Sequence, residues 1–241
     1  MKNIATKTLF FAFLLSACLV SADDNTGSVI DIDGNVYTTV KIGNQVWTVE
    51  NLRTTRYNDC TPIPLVTDRA AWEKLTTPGY CYYDNTTDAN FIKKFGALYN
   101  WYAVDTKKLA PKGWHVPTEA EWGTLKNYLI ANGYNWDGTT AGNKIAKSMA
   151  TKTDWSTFTT PGAPGNNLSK NNKSGFSALP GGSRDDVGVF CLIGVYGLWW
   201  SATEFDASLA YYCVLYIDDV LLYRDCDLKS CGFSVRLLRD E

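Results

Sequence analysis

Histidine is almost missing: the 241 residues contain one, His115, together with only two methionines. A single imidazole cannot build a multi-histidine metal centre, and a Ser/His/Asp relay would have to use that one base. The G-x-S-x-G elbow that would present the serine does not occur. His115 stands in "GWHVPT", just before a helix cap and between aromatic and apolar neighbours, so it is expected to be structural. Charge of one sign never accumulates. With 23 Lys and Arg against 25 Asp and Glu the net charge is −2, and no basic block or long acidic run is present. That excludes partners read through their phosphates, so no nucleic acid is expected. Nor does any apolar run reach the roughly 18 residues that a membrane-spanning helix needs.

Aromatic residues and glycine are abundant instead: nine Trp, fourteen Tyr and 19 Gly. A loop-rich chain with amphipathic rings is the composition of many binding surfaces. The N-terminus reads as an export signal, with Lys2 and Lys7 followed by the apolar run Leu9 to Val20, too short to span a bilayer. Within it, Leu15-Ser16-Ala17-Cys18 has the form of a bacterial lipobox, which would make Cys18 the lipidated first residue. Val20-Ser21-Ala22 offers ordinary cleavage instead. Residues 1–22 are thus the signal, 23–28 a short linker, and 29–241 one domain. The expected location is the outer membrane or cell surface through a lipid at Cys18, or else the secreted fraction. In an oxidising compartment Cys60 and Cys81 would close a loop as a disulfide. Spacing does not choose partners for Cys191, Cys213, Cys226 and Cys231.

Between Val29 and Glu50 apolar and polar residues alternate around Asp33-Gly34 and Gly43-Asn44, which predicts an antiparallel meander. Residues 51–112, broken by four prolines, read as mostly irregular apart from a short helix in "RAAWEKL" capped by Asp68. "PTEAEWGTLKNYLIANG" carries the clearest signal. Thr118 and Glu121 form a capping box, Trp122, Leu125, Tyr128 and Leu129 share one face, and Asn132-Gly133 ends the helix. A second helix is predicted over Ala141 to Met149, with Lys144 and Lys147 outside. After a long loop, "GFSALPGG", "LWWSAT", "YYCVLY", "VLLYRD" and "FSVRLLR" read as short strands.

The phrases "DGNVYTTVKIGNQVWTVENL", "GALYNWYAV", "KLAPKGWHVPTEAEW", "GFSALPGGSRD", "GLWWSATE" and "GFSVRLLRD", in this order, resemble the Fibrobacter succinogenes major paralogous domain. The family comprises secreted bacterial proteins and lipoproteins. "HVPTEAEW", "LPGGSRD" and "GFSVR" are similar, more distantly, to the sulfatase-modifying-factor group, which includes formylglycine-generating enzymes. The resemblance implies an α+β, C-type-lectin-like fold, in which two helices flank small twisted antiparallel sheets, the termini meet and long loops carry recognition. The sugar-plus-calcium triplets of calcium-dependent lectins are not found, and no metal or cofactor is expected. Asp185-Asp186 and Asp218-Asp219 read as solvated turn acids. Formylglycine-generating enzymes use a cysteine pair with the Cys226–Cys231 offset to bind copper, and thiolates suit copper(I). Here, however, Cys231 abuts Gly232, out of register with that pattern.

Between "GGSRD" and the end the family shows an Asn/Tyr/Ser/Gly-rich run around a fixed frame. The frame is kept in Gly197, Trp199-Trp200-Ser201, Glu204, Arg224, Lys229 and Gly232 to Arg236. Between frame positions stand Val187, Val189, Phe190, Cys191, Leu192, Val195, Leu198, Phe205, Asp206, Leu209, Cys213, Val214, Ile217, Asp218, Asp219, Leu221, Leu222, Asp225, Cys226, Asp227, Leu228 and Cys231. All have codons ending in a pyrimidine, the set reached when asparagine codons are randomised at their adenines. Diversity-generating retroelements leave that mark on targets of this fold, whereas a divergent but fixed core would contain the same residue types. The functional expectation is a non-enzymatic surface recognition protein for a protein or glycan ligand. Its anchors would be Phe190, Tyr196, Trp199, Phe205, Tyr212, Tyr216 and Tyr223 with Cys213. Asp206, Asp218, Asp219, Asp225 and Asp227 would give selectivity. A copper or thiol oxidase using Cys226 and Cys231, and a purely structural envelope lipoprotein, are the alternatives.

Overall fold

The computed structural model describes residues 27–241. The export signal, Cys18 and most of the linker lie outside the described residues. The predicted meander forms as β1 (Ser28–Ile30), β2 (Val36–Ile42) and β3 (Gln45–Thr48). Its first turn is fixed by Asp31, whose Oδ1 accepts from the amides of Asp33 and Asn35 at 3.0 and 2.9 Å. Asp68 caps α1 (Arg69–Glu73), accepting from the Ala71 amide at 2.8 Å. The stretch read as irregular holds more structure than expected: β4 (Tyr80–Cys81), α2 (Ala89–Phe95), β5 (Leu98–Asn100) and α3 (Trp101–Asp105), with β6 (Trp114–His115) just after it. These elements are too short to show a period. Polar caps set two of them, Asp88 before α2 and Asn100 before α3.

Helix α4 (Glu119–Ala131) carries the capping box in both directions and buries Trp122, Leu125 and Leu129. Helix α5 is only Ala146–Met149, shorter than predicted because the Asn135 amide holds the carbonyls of Ala141 and Gly142 in a turn, at 3.3 and 3.0 Å. Lys147, expected outside, is buried. The remaining strands are β7 (Ser183–Arg184), β8 (Phe190–Cys191), β9 (Tyr196–Glu204), β10 (Leu209–Tyr216), β11 (Tyr223–Leu228), β12 (Gly232–Phe233) and β13 (Leu238–Arg239). "FSVRLLR" is therefore split between two strands, and Arg236 turns inward between them.

Three antiparallel sheets result, ordered β1-β2-β3-β13-β6, β4-β5-β12-β7-β8 and β11-β10-β9. Among the described residues five helices, α4 the longest, stand around small antiparallel sheets, an α+β arrangement. The first sheet brings the start and end of the domain together, Leu238 pairing with both Trp47 and His115. Among the described residues no helix is long and apolar enough to cross a membrane.

Strand β10 runs between the two largest apolar clusters. Ala210, Tyr212 and Val214 enter one, with Trp200 and Phe233. Cys213 and Leu215, with Ile217 just past the strand, enter the other, with Trp47, Trp122 and Phe176. Successive strand residues point to opposite faces, so a strand covered on both faces shows no alternation. That accounts for the missing period in "YYCVLY". The six cysteines from Cys60 onward are free. The expected Cys60–Cys81 bridge is not formed, because Cys81 is buried on β4 beside Trp72 and Leu98 while Cys60 is exposed in a turn. Burial pushes the Cys81 thiol up to about 12.

His115 faces two carboxylates, Nδ1 lying 2.6 Å from Asp240 Oδ1 and Nε2 2.9 Å from Glu121 Oε1. Burial disfavours the imidazolium, but the hydrogen bonds to Asp240 and Glu121 outweigh it and raise the pKa above its ordinary 6.5. A raised folded pKa stabilises the fold below the unfolded value, and the contribution disappears as pH climbs through the folded value. In urea titrations the stability gap between wild type and His115→Gln is therefore expected to be largest near about pH 6 and to shrink toward about pH 9. A gap that widened with pH would contradict the pairing.

Candidate functional site

The C-terminal strands are fastened by a buried polar centre. Asn51 Oδ1 accepts from Trp199 Nε1 at 2.9 Å and from Arg236 Nε at 2.7 Å, while its Nδ2 donates to Phe95 O at 2.9 Å and Ser234 Oγ at 3.2 Å. Arg184, 1 % exposed, donates to the carbonyls of Val66, Thr67, Asp68 and Gly188 and lies over the rings of Trp72 and Phe190. It ties the β7–β8 turn to the loop before α1. Lys229 is buried against the Trp101 ring, with Nζ on Glu204 and the Ala207 carbonyl. Arg224 pairs with Glu119 at 2.7 Å. At Gly197 an added Cβ would meet Trp199 at 2.4 Å and Leu179 O at 2.7 Å, so the frame needs glycine there.

The phrases that share this buried network span most of the chain. The family model of the Fibrobacter succinogenes major domain matches residues 40–239. The chain belongs to that family. No curated protein matches the chain, and no solved structure does. In Fibrobacter succinogenes major domain terms, the network explains why the phrases around Asn51, Arg184, Trp199 and Arg236 go together: each supplies a partner that another would otherwise lack in the interior.

On this frame the sequence-predicted residues separate by strand alternation. Tyr196, Tyr216 and Tyr223 form a ladder across β9, β10 and β11, with centroids 4.6 and 5.2 Å apart. Tyr223 donates to Asp219 at 2.7 Å, a bond that pushes its own hydroxyl up to about 12. Asp225 and Asp227 lie opposite Tyr212 and Ala210 on the same face. Burial raises the Asp227 carboxyl, and the charges of Asp186 and Asp225 add to that. Phe205 and Asp206 belong to the β9–β10 turn, where Asp206 accepts from the amides of Ser208 and Leu209 at 2.7 and 2.8 Å. The Phe205 ring meets Tyr211 edge-on at 5.2 Å on the other face. Asp218 is exposed in the turn after β10. Phe190 is half-buried in a third place, between Tyr83 and Arg184.

Three candidates are corrected. Trp199, Tyr212 and Cys213 are buried at 0, 8 and 4 % exposure. Trp199 and Cys213 are cross-strand partners facing α4, while Tyr212 packs on Trp200 and Phe233. None of the three is a surface anchor. Of the wider odd set, Leu198, Val214, Ile217, Leu222 and Cys231 are likewise core. Val187, Val189, Leu192 and Leu228, not among the named anchors, are exposed. They belonged to the odd set, but a preference for aromatic anchors passed them over.

Cys226 and Cys231 do not face each other. Cys226 pairs with Tyr211, whereas Cys231 is buried and its thiol approaches Asp227 Oδ1 at 3.6 Å. Asp227 follows Cys226 on the strand and points to the opposite face. Both thiols are shifted up, chiefly by burial, with carboxylates nearby adding to the shift, the reverse of what a thiolate ligand needs. No group of three metal-binding side chains occurs among the described residues.

Proposed function

We propose that this chain is a non-enzymatic recognition protein, held at the cell surface through Cys18. Its C-type-lectin-like scaffold would present residues 187–228 to a protein or glycan. The supporting observation is the placement of exposed apolar side chains. Five of the twelve large hydrophobics exposed among the described residues, Val187, Val189, Leu192, Phe205 and Leu228, fall in that segment. Exposed apolar side chains concentrated in one segment favour an interaction site there. On the opposite side of β11 from Leu228, the half-buried tyrosine ladder with Asp219, Asp225 and Asp227 would offer oriented polar contacts.

The exposed subset is the part proposed to vary. Leu192 supports this: its φ is 68°, and it is the only aliphatic residue among the non-glycine positive-φ positions described. Asparagine tolerates that conformation far better than leucine, as expected if the codon began as asparagine. Variation of this kind requires a reverse transcriptase gene and a near-copy of the segment carrying adenines at these codons. For the ligand, the experiment is a variant with all five residues changed to Asn, compared with wild type on glycan and cell-surface protein panels. Binding should be lost while the fold stays intact, because surface substitutions typically change stability by about 0.5 kcal/mol or less each.

A further inference from the structure

The loop after α4 and the loop after α5 line an open cavity of about 450 Å³, to which no residue of 187–228 contributes, within the range of small-molecule sites. Its charge has one sign. Lys147, Lys170 and Lys173 line it, and no carboxylate does. Lys147 is 8 % exposed, and its Nζ is surrounded by neutral oxygens: the carbonyls of Ala163, Asn166 and Asn167, and Asn171 Oδ1 at 2.9 Å. Among the described residues no carboxylate lies within 4.0 Å of any of the three ammonium groups. Asp137, between the lining residues Trp136 and Gly138, is engaged by Lys144 at 2.5 Å, and Asp154 by Lys94 at 2.5 Å. A buried charge is ordinarily matched by an opposite one, and here only dipoles meet it. Burial, together with the charge of Lys170, lowers the Lys147 pKa, which is the mark of an uncompensated positive site.

The cavity also has an aromatic wall. Trp136 is 45 % exposed, yet its ring is seated: a Cβ at Gly162, where φ is 84°, would fall 2.3 Å from Cδ1 and Nε1. Only glycine lets the indole lie this close to the backbone. Lys173 sits 5.3 Å above the Tyr134 ring and donates to Gly133 O at 2.9 Å. A preplaced, half-exposed ring beside uncompensated ammonium groups matches a ligand with an apolar C–H face and a negative substituent. Arginine, whose planar fork grips phosphate in two-pronged fashion, is not in the lining.

We propose that this cavity binds an acidic sugar, with Trp136 under the ring and Lys170 and Lys173 on its carboxylate or sulfate. Lys147 acts from behind as a fixed positive potential. The cavity's lining holds none of residues 187–228, so failure of this proposal would leave the reading of that segment untouched.

Calorimetry on the full chain tests it with trigalacturonate, a sulfated disaccharide, neutral maltotriose, AMP and inorganic phosphate. Either acidic sugar should bind at least about tenfold tighter than maltotriose. Trp136→Ala and the Lys170→Glu/Lys173→Glu pair should each weaken binding by about tenfold or more. The three side chains changed, Trp136, Lys170 and Lys173, are all exposed, and unchanged Tm values check that the variants fold. Preference between the two sugars identifies the anion. The proposal is overturned by equal binding of maltotriose, by phosphate or AMP binding as tightly as the sugars, by charge reversal without effect, or by no binding of either acidic sugar at millimolar concentration.

Discussion

Replacing Arg236 by methionine is expected to remove a large part of the stability of the fold. The guanidinium is fully buried. It donates to Asn51 Oδ1 at 2.7 Å, to the carbonyls of Thr48 and Phe176 at 2.8 and 3.1 Å, and to Ser177 O at 2.8 Å. It also lies 5.0 Å over the Phe176 ring. Methionine matches its length but leaves the three carbonyls unpaired in the interior, at roughly 1–3 kcal/mol each. The expected loss is therefore about 4 kcal/mol or more, against typical totals of about 5–15 kcal/mol. Lysine cannot rescue it, since one ammonium replaces a planar fork serving four acceptors. Urea unfolding gives the number, and a loss below about 1 kcal/mol would show that the network does not organise the C-terminal strands.

Two asparagine substitutions within the odd set should behave in opposite ways. Val214 is fully buried on β10, in the cluster with Trp200 and Phe233. Val214→Asn places an amide there without a partner and should cost about 2–5 kcal/mol. Phe205, 49 % exposed, ends in solvent, and Phe205→Asn should change stability by no more than about 0.5 kcal/mol. At roughly 2–4 °C per kcal/mol for a domain of this size, thermal melts separate the two outcomes easily. Equal effects would mean that the frame and the exposed subset are not distinct.

The sequence disclosed most where local chemistry decides the structure. The capping box at Thr118 and Glu121, the Asp68 cap and the turn residues of the first meander all lie where expected. The family phrases were legible too, as strings; what the strings hid was that Asn51, Trp199 and Arg236 meet in one buried centre. Long-range polar contacts leave no period. Short elements such as α3 escaped because they are set by tertiary partners, Asn100 serving both as its cap and as acceptor for the Gly79 amide. The candidate surface was half legible. The odd set contained the exposed apolar residues of 187–228, but two-sided burial of β10 made core residues such as Cys213 and Val214 look as irregular as exposed ones such as Val189. The cavity around Lys147 gave no sequence signal, since a lysine at helical spacing is ordinarily solvated.

The most direct test of the central claim, that residues 187–228 form the recognition face, is binding by wild type and the five-asparagine variant on the same glycan and cell-surface protein panels, with Tm recorded for both. The account predicts at least one ligand held by wild type and lost by a variant that melts within a few degrees of it. A variant that keeps the wild-type Kd for every ligand, or a wild-type chain that captures none, would contradict it.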